Sequence, residues 1–411
     1  MILRDYQQEI VNKGLPILNK YKFLYLAMEV RTGKTATSLS MVSSLPVTDC
    51  LFLTKKKAIS SIQEDYDKLN LSYNLTVINY ESIHKLPKTI RWQCIILDEA
   101  HGLGAFPKAS KRAKQVKTLI ISNKSYVILL SGTPTPESYS QMFHQVYGIA
   151  QNPFAQYKNF YRFSDHYVSV RIRPIGGIQI RDYSRGSEDI IHKMKPYTIS
   201  YTQKEAGFKV ETNEHILYVN TPSKIKSIIK KLTTDLVVEG KEEVILADTA
   251  VKLMSKTHQL YSGTVKFESG KSMVIDTFKA EYIKNKFKNK KIAIFYKFTA
   301  EWDALKLIFD NNICNTLEEF NSTDKNIALQ IVSGREGISL RKAMALVYYN
   351  IDFSATSYWQ SRDRMTTKER LQNKVYWVFS KNGIENDIYK AVVKKKDYTL
   401  KHFKRDILTL N

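Results

Sequence analysis

Cysteine is scarce in this chain and long apolar runs are absent. The three cysteines, Cys50, Cys94 and Cys314, lie far apart and their number is odd. That argues against a disulfide framework, and no two stand at zinc-ligand spacing. The eight histidines are scattered in the same way. No stretch approaches the ~18–20 continuous apolar residues that a membrane-spanning helix needs, so no membrane partner is expected. The opening Met1-Ile2-Leu3-Arg4-Asp5-Tyr6 lacks the basic start and apolar core of a signal peptide, and a cytoplasmic location is the expectation. Neither a Pro- or Ser-rich linker nor an internal repeat occurs.

Acidic residues are also in short supply. Forty stand against 63 lysines and arginines, a net charge of +23. A charge of that size repels itself unless a polyanion is present, and it speeds the encounter with one. The alternative is a lysine-rich composition spread over solvated faces. Hydrophobic residues at 43% and charged residues at 25% are ordinary for a soluble globular chain. A length of 411 residues suits two domains of roughly 200 each.

Short apolar runs recur at 23–28, 51–53, 75–78, 94–97, 126–130, 292–296, 327–332 and 345–349. Runs of this kind, rich in Ile, Val, Leu and Tyr, are what parallel strands covered on both faces look like. Segments of helical period separate them, at 36–44, 59–68, 109–122 and 299–309. The alternation predicts α/β domains with parallel sheets. Residues 150–220 differ, being rich in aromatic and basic side chains, and 221–260 read as helical. The predicted organisation is therefore a first lobe over 1–150, a basic, aromatic and then mainly helical insertion over 151–270, and a second lobe over 271–411.

Two motifs follow apolar runs in the first lobe. Thr32-Gly33-Lys34-Thr35 comes after the run at 23–28, and Asp98-Glu99-Ala100-His101 directly after 94–97. A phosphate-binding loop works because backbone N–H groups at a helix N-terminus face the phosphates while a lysine neutralises charge. Lys34 then contacts the β- and γ-phosphates and the Thr35 hydroxyl ligates magnesium. Met28 stands where the full motif has its first glycine. Asp98 would hold the metal and Glu99 would orient and deprotonate the attacking water. The other reading of this acidic pair is a cap for the next helix. His101 is expected to couple the site to neighbouring motifs rather than to bind metal. ATP and Mg²⁺ are the implied cofactors.

With further motifs in order, the chain resembles superfamily 2 helicases, and within them the Swi/Snf-like branch of DNA translocases. Leu3-Arg4-Asp5-Tyr6-Gln7 looks like the Q motif, in which Gln7 would read adenine. Residues 29–35 look like motif I, adding Arg31 and Thr32 to the nucleotide contacts, and Leu53-Thr54-Lys55 is placed like motif Ia. Asn79-Tyr80-Glu81 resembles the segment before motif II. Leu130-Ser131-Gly132-Thr133-Pro134 is similar to motif III, giving Thr133 a coupling role. In the second lobe, residues 292–297 resemble motif IV, 333–340 motif V and 360–364 motif VI. The resemblance adds Gly337 and Gln360 to the nucleotide contacts and makes Arg364 the arginine finger. It places Thr54, Lys55, Lys297 and Ser333 on nucleic acid. The compact length looks like small stand-alone members found in bacteriophages, implying a bacterial host cell.

Three positions depart from the pattern. Arg31 replaces a glycine common in motif I, Arg335 a glycine in motif V, and Thr367 the second motif VI arginine. Since an arginine finger contributes roughly 10³-fold or more, the last bears on the rate of hydrolysis.

The resemblance implies two RecA-like lobes in tandem and a nucleic-acid-stimulated ATPase, a monomeric motor that translocates on or unwinds DNA in replication, recombination or repair. Duplex or forked DNA is favoured over RNA. The alternatives are a DNA-binding scaffold with a switch-like or weakened ATP site, and the motor subunit of a restriction or nuclease system. Arg171, Arg173 and Arg181 in the insertion, and Lys108, Lys111, Arg112 and Lys114 after motif II, are further candidates for DNA contact. Aromatics of the insertion either wedge a fork apart or pack its own small core.

Overall fold

The structure is a computed structural model. It describes residues 1–393 apart from 176–177, 210, 241, 335–337, 355–356, 359–360, 362 and 367–371. The chain divides into two compact units, Met1–Phe208 and Lys209–Asn411.

In the first unit the strands are β1 (Phe23–Met28), β2 (Asp49–Thr54), β3 (Asn74–Asn79), β4 (Cys94–Leu97), β5 (Tyr126–Leu130), β6 (Arg171–Ile175), β7 (Ile178–Asp182) and β8 (Thr198–Tyr201). Six of them form one parallel sheet in the order β3-β2-β4-β5-β1-β8. Alternate side chains enter opposite cores, as a period of two requires. Phe23, Tyr25, Leu51, Leu53, Ile95, Leu97, Val127 and Leu129 go to one. Leu24, Leu26, Cys50, Phe52, Cys94, Ile96, Ile128 and Leu130 go to the other. Burial on both faces is why these strands read as unbroken apolar runs rather than alternating ones.

The second unit holds β9 (Glu211–Val219), β10 (Val237–Glu239), β11 (Val244–Leu246), β12 (Thr264–Lys266), β13 (Ser272–Val274), β14 (Ile292–Tyr296), β15 (Ile313–Cys314), β16 (Asn326–Gln330), β17 (Ala345–Tyr348) and β18 (Gln372–Ser380). Its six-stranded sheet is again parallel, ordered β15-β16-β14-β17-β18-β9. The α/β class with two parallel-sheet lobes is as expected.

The middle of the chain is organised differently from the expectation. The division between units falls at Phe208, inside the segment 151–270. That segment gives β8 to the edge of the first sheet and β9 to the edge of the second. It also carries three small antiparallel pairs, β6-β7, β10-β11 and β12-β13. Its two longest helices, Ser223–Asp235 and Ala250–Tyr261, fall in its second half, and short strands stand between the helices.

A buried ion pair closes the second unit. Lys279 Nζ donates to Glu385 Oε1 at 2.6 Å, both side chains wholly inaccessible, and also reaches the Tyr349 carbonyl at 3.3 Å. Removing one partner strands a charge in the core, at a cost of about 3–5 kcal/mol. Lys279→Ala is therefore expected to lower the unfolding free energy by about that amount in denaturant titration. Replacing Lys279 by Met and Glu385 by Leu together should cost far less. Equal losses from the single and double variants would mean that the charge pair is not the cause.

Candidate functional site

The order β4-β5-β1 sets the carboxyl ends of three neighbouring strands side by side, where ligands of open parallel sheets bind. The loop after β1 contains Lys34, the turn after β4 starts with Asp98, and Ser131 to Pro134 follow β5.

The loop enters the helix Lys34–Val42 through left-handed residues, Arg31 at φ 66° and Gly33 at φ 81°. The positive φ favours glycine at 33, and a Cβ there would lie 2.0 Å from Gln7 Nε2, displacing that side-chain amide from the loop. Thr32 Oγ1 donates to the Glu29 carbonyl at 2.7 Å, Tyr6 Oη to the Thr32 carbonyl at 3.1 Å, and Gln7 Nε2 to the Gly33 carbonyl at 3.3 Å. Gln7 Oε1 in turn accepts from Arg4 N at 2.9 Å. The Q-motif glutamine thus lies against the loop, in the helix Asp5–Tyr21. Gln203, just past β8, holds the other side: its N donates to Glu29 Oε2 at 2.7 Å and its Nε2 to the Val30 carbonyl at 3.0 Å. Sequence reasoning missed Gln203, because the short, half-exposed β8 carries no apolar signature.

Lys34 Nζ donates to the Met28 and Glu29 carbonyls, at 2.8 and 3.2 Å. The Gly132 backbone comes so near that an added Cβ would lie 3.7 Å from this ammonium and 3.5 Å from the Met28 carbonyl.

Asp98 N donates to the Leu53 carbonyl at 2.9 Å, and Asp98 Oδ2 accepts from Thr54 Oγ1 at 2.7 Å. Tyr80 Oη donates to the Asp98 carbonyl at 2.6 Å. Burial, and then the neighbouring Glu99, push the Asp98 carboxyl above the ordinary carboxylate range, against Thr54 and Lys34. Glu99 is left-handed at φ 49°. Its Oε2 lies 3.3 Å from His101 Nδ1, which lies 3.0 Å from Ser131 Oγ, which accepts from Thr133 N at 3.1 Å. Motifs II and III are therefore joined by one chain of contacts, and His101 and Thr133 both lie on it.

Two expectations need correction. Thr54, expected on nucleic acid, is wholly buried and spends its hydroxyl on Asp98. Lys297, given the same role, binds Asp352 Oδ1 at 2.8 Å and lies 3.8 Å from the Phe353 ring centre, its side chain 15% exposed. Burial pushes its ammonium below the usual lysine range. An ammonium so enclosed is poorly placed to meet a phosphate backbone. Arg112 likewise is paired with Glu81 and lies over the Tyr80 ring.

Lys55 is half-buried at the end of β2 and Thr35 half-buried in the first turn of its helix. Ser333 belongs to the helical turn Ile331–Gly334. Arg364 sits in the turn Asp363–Met365, 7% exposed, its carbonyl accepting from Leu340 N at 2.9 Å. Gly337 and Gln360 lie outside the described residues, as do Arg335 and Thr367.

The first unit's residues fit a magnesium nucleotide. A desolvated aspartate with a raised pKa is what a divalent cation relieves, a lysine lies on the loop carbonyls, and the buried Thr133 hydroxyl has no hydrogen-bond partner among the described residues. Among those residues no cluster of three His, Cys, Asp or Glu could hold a metal alone. Magnesium bound through one carboxylate, a hydroxyl and substrate phosphates needs no such cluster.

A loop, an acidic pair and two parallel sheets define a nucleoside-triphosphatase core. Residues 20–274 match the family model of the SNF2-related domain, and the chain belongs to that family. The curated relatives it resembles include the CHD3-type chromatin-remodeling factors PICKLE and CHR7 of Arabidopsis thaliana. PICKLE is 26% identical over 109 residues, which is 26% of this chain and 8% of PICKLE. CHR7 is 22% identical over 172 residues, 39% of this chain and 14% of CHR7. The matches therefore span a small part of those relatives' length. Among solved structures, the Sulfolobus solfataricus SWI2/SNF2 ATPase core in complex with dsDNA aligns at 16% identity with a TM-score of 0.43, over 96% of this chain and 91% of that one.

Proposed function

We propose that the chain is an ATP-driven DNA translocase, coupling hydrolysis to movement along, or remodelling of, duplex DNA. The observation that carries the reading is the convergence of Lys34, Asp98 and Glu99 at adjoining strand ends, wired through His101 to Ser131. Magnesium bound with ATP supplies charge neutralisation at the phosphates, and Thr35 and Asp98 are the residues to hold it. Lys34 neutralises the triphosphate, leaving its loop carbonyls to do so. Glu99 orients the attacking water and accepts its proton. His101, Ser131 and Thr133 transmit the loaded state of the site to the segment beyond motif III. The excess of basic residues supplies attraction to phosphates, which a motor crossing every sequence uses in place of base edges.

The test is the rate of ATP hydrolysis with duplex, forked and single-stranded DNA and with RNA, over a salt series. Duplex DNA is expected to stimulate most, and the concentration giving half-maximal stimulation should climb steeply with salt. Best stimulation by RNA, or none by any nucleic acid, overturns the reading.

A further inference from the structure

We propose that the β6–β7 hairpin is an arginine ribbon that enters a groove of duplex DNA and is braced at its base by the segment following motif III. The proposal deepens the DNA-translocase reading, from which it takes the partner.

Composition speaks first. The chain has 48 lysines and only 15 arginines, yet residues 159–192 contain no lysine and five arginines, at 162, 171, 173, 181 and 185. A general lysine bias cannot produce that stretch. Arginine differs from lysine in its planar fork, which binds phosphate oxygens in pairs and sheds water readily. Between Ser169 and Ser187 four arginines face a single acid, Asp182.

The backbone then gives the arginines a shape. β6 and β7 form a separate two-stranded antiparallel sheet. Arg171, Ile172, Gln179 and Arg181 are all exposed, Ile172 at 55%. Arg171 pairs with Asp182 and Ile172 with Arg181, so Arg171 and Arg181 lie on opposite faces of the ribbon. A two-stranded ribbon has the width that the major groove admits. Cations on both faces suit an element standing between two phosphate backbones, whereas charge on one face would suit lying upon a surface.

A lone hairpin is marginal in water, and this one is held at its root. Ser140 Oγ donates to the Tyr183 carbonyl at 2.7 Å, Ser187 N to the Tyr167 carbonyl at 2.7 Å, and Phe160 packs edge-on to Tyr183 at 5.5 Å. Gly186 approaches Ser140 so closely that a Cβ would lie 2.6 Å from its backbone N. Ser140 belongs to the turn Tyr139–Gln141, and Gln145 Nε2 donates back to the Pro134 carbonyl of motif III at 2.7 Å. A force on the ribbon therefore reaches the motif that touches His101. Of the neighbouring aromatics, Phe154, Phe160 and Phe163 are buried in the first unit's own core and so do not form a wedge, whereas Tyr161 is 43% exposed.

The test compares duplex binding, by fluorescence anisotropy without nucleotide, for the full chain and for a variant carrying Arg171→Gln, Arg173→Gln and Arg181→Gln. Each lost phosphate contact lowers the slope of log affinity against log salt by about 0.9, so the slope should fall by roughly 2–3 and affinity at low salt on the order of tenfold or more. The three corresponding Arg→Lys changes should restore the slope while recovering only part of the affinity. Should the triple Gln variant fail to fold, Arg171→Gln alone should lower the slope by about 1. An unchanged slope overturns the proposal. So does a loss confined to forked substrates, which marks a strand-separating wedge, or a loss confined to binding of a protein partner. If DNA failed to stimulate hydrolysis by the unmodified chain while the slope still changed, the motor reading would fall and the ribbon would stand.

Discussion

Glu99→Gln is expected to leave ATP bound and to slow its hydrolysis by about 10²–10⁴-fold, the usual contribution of a general base. The two adjacent carboxylates occupy different surroundings. Asp98 is fixed from three directions by Thr54, Leu53 and Tyr80, and burial holds its carboxyl above the ordinary range. Glu99 is 17% exposed at its side chain and stands on left-handed backbone, a conformation costing a residue with a Cβ about 1–3 kcal/mol. The turn that imposes it is closed by Gly102 N donating to the Glu99 carbonyl at 2.9 Å. Glutamine preserves the size of the side chain and its reach to His101 Nδ1, but it cannot take a proton from water. The measurements are single-turnover hydrolysis and equilibrium binding of a fluorescent ATP analogue, each on the variant and the parent chain. A variant hydrolysing within threefold of the parent would show that the base is another group.

The placement of Lys34, Asp98 and Glu99 after neighbouring strands of the first unit was legible because its signals are local. Phosphate-loop and acidic-pair residues follow strands that are buried on both faces, and such strands announce themselves as apolar runs. The edges of both sheets were not legible. β8 is four residues long and half-exposed, and β9 opens with five polar residues, Glu211 to His215, before its apolar Ile216 to Val219, so neither resembles the central strands it lies beside. Without those edges the middle of the chain reads as an inserted body, although it completes both sheets. Thr54 and Lys297 were misassigned for one reason. Motif position says which strand end a polar residue occupies, but the depth of that end depends on packing from distant segments. Thr54 meets Asp98, 44 residues away, and Lys297 meets Asp352, 55 residues away. A polar residue that finds a buried partner at such range ceases to be available to a ligand, and no window of sequence contains both halves of the pair. Gln203 shows the converse, since it braces a loop 173 residues earlier and nothing beside it marks the role.

Lys34→Ala should abolish measurable hydrolysis, a fall of at least about 10²-fold as expected where a preorganised electrostatic contact to a transferring phosphoryl group is lost. The ammonium rests on the Met28 and Glu29 carbonyls, at the mouth of β1 and close to the Gly132 backbone. Removing it takes positive charge from the one place where the loop, motif III and a triphosphate would meet. It also uncovers two carbonyls whose negative ends then face the phosphates, so binding as well as turnover should suffer. Lys34→Arg is not expected to rescue either, because a planar guanidinium cannot fit the point-like geometry of an ammonium between two carbonyls. Thermal unfolding gives the cleanest readout. A ligand at 100 times its dissociation constant stabilises a folded protein by about 2.7 kcal/mol, so the parent chain's melting temperature should rise clearly with magnesium and ATP. For both lysine variants that rise should largely vanish while the melting temperature without nucleotide stays near the parent's. A full ATP-induced shift in Lys34→Ala would place the triphosphate elsewhere on the chain and remove the loop between β1 and its helix from the site altogether.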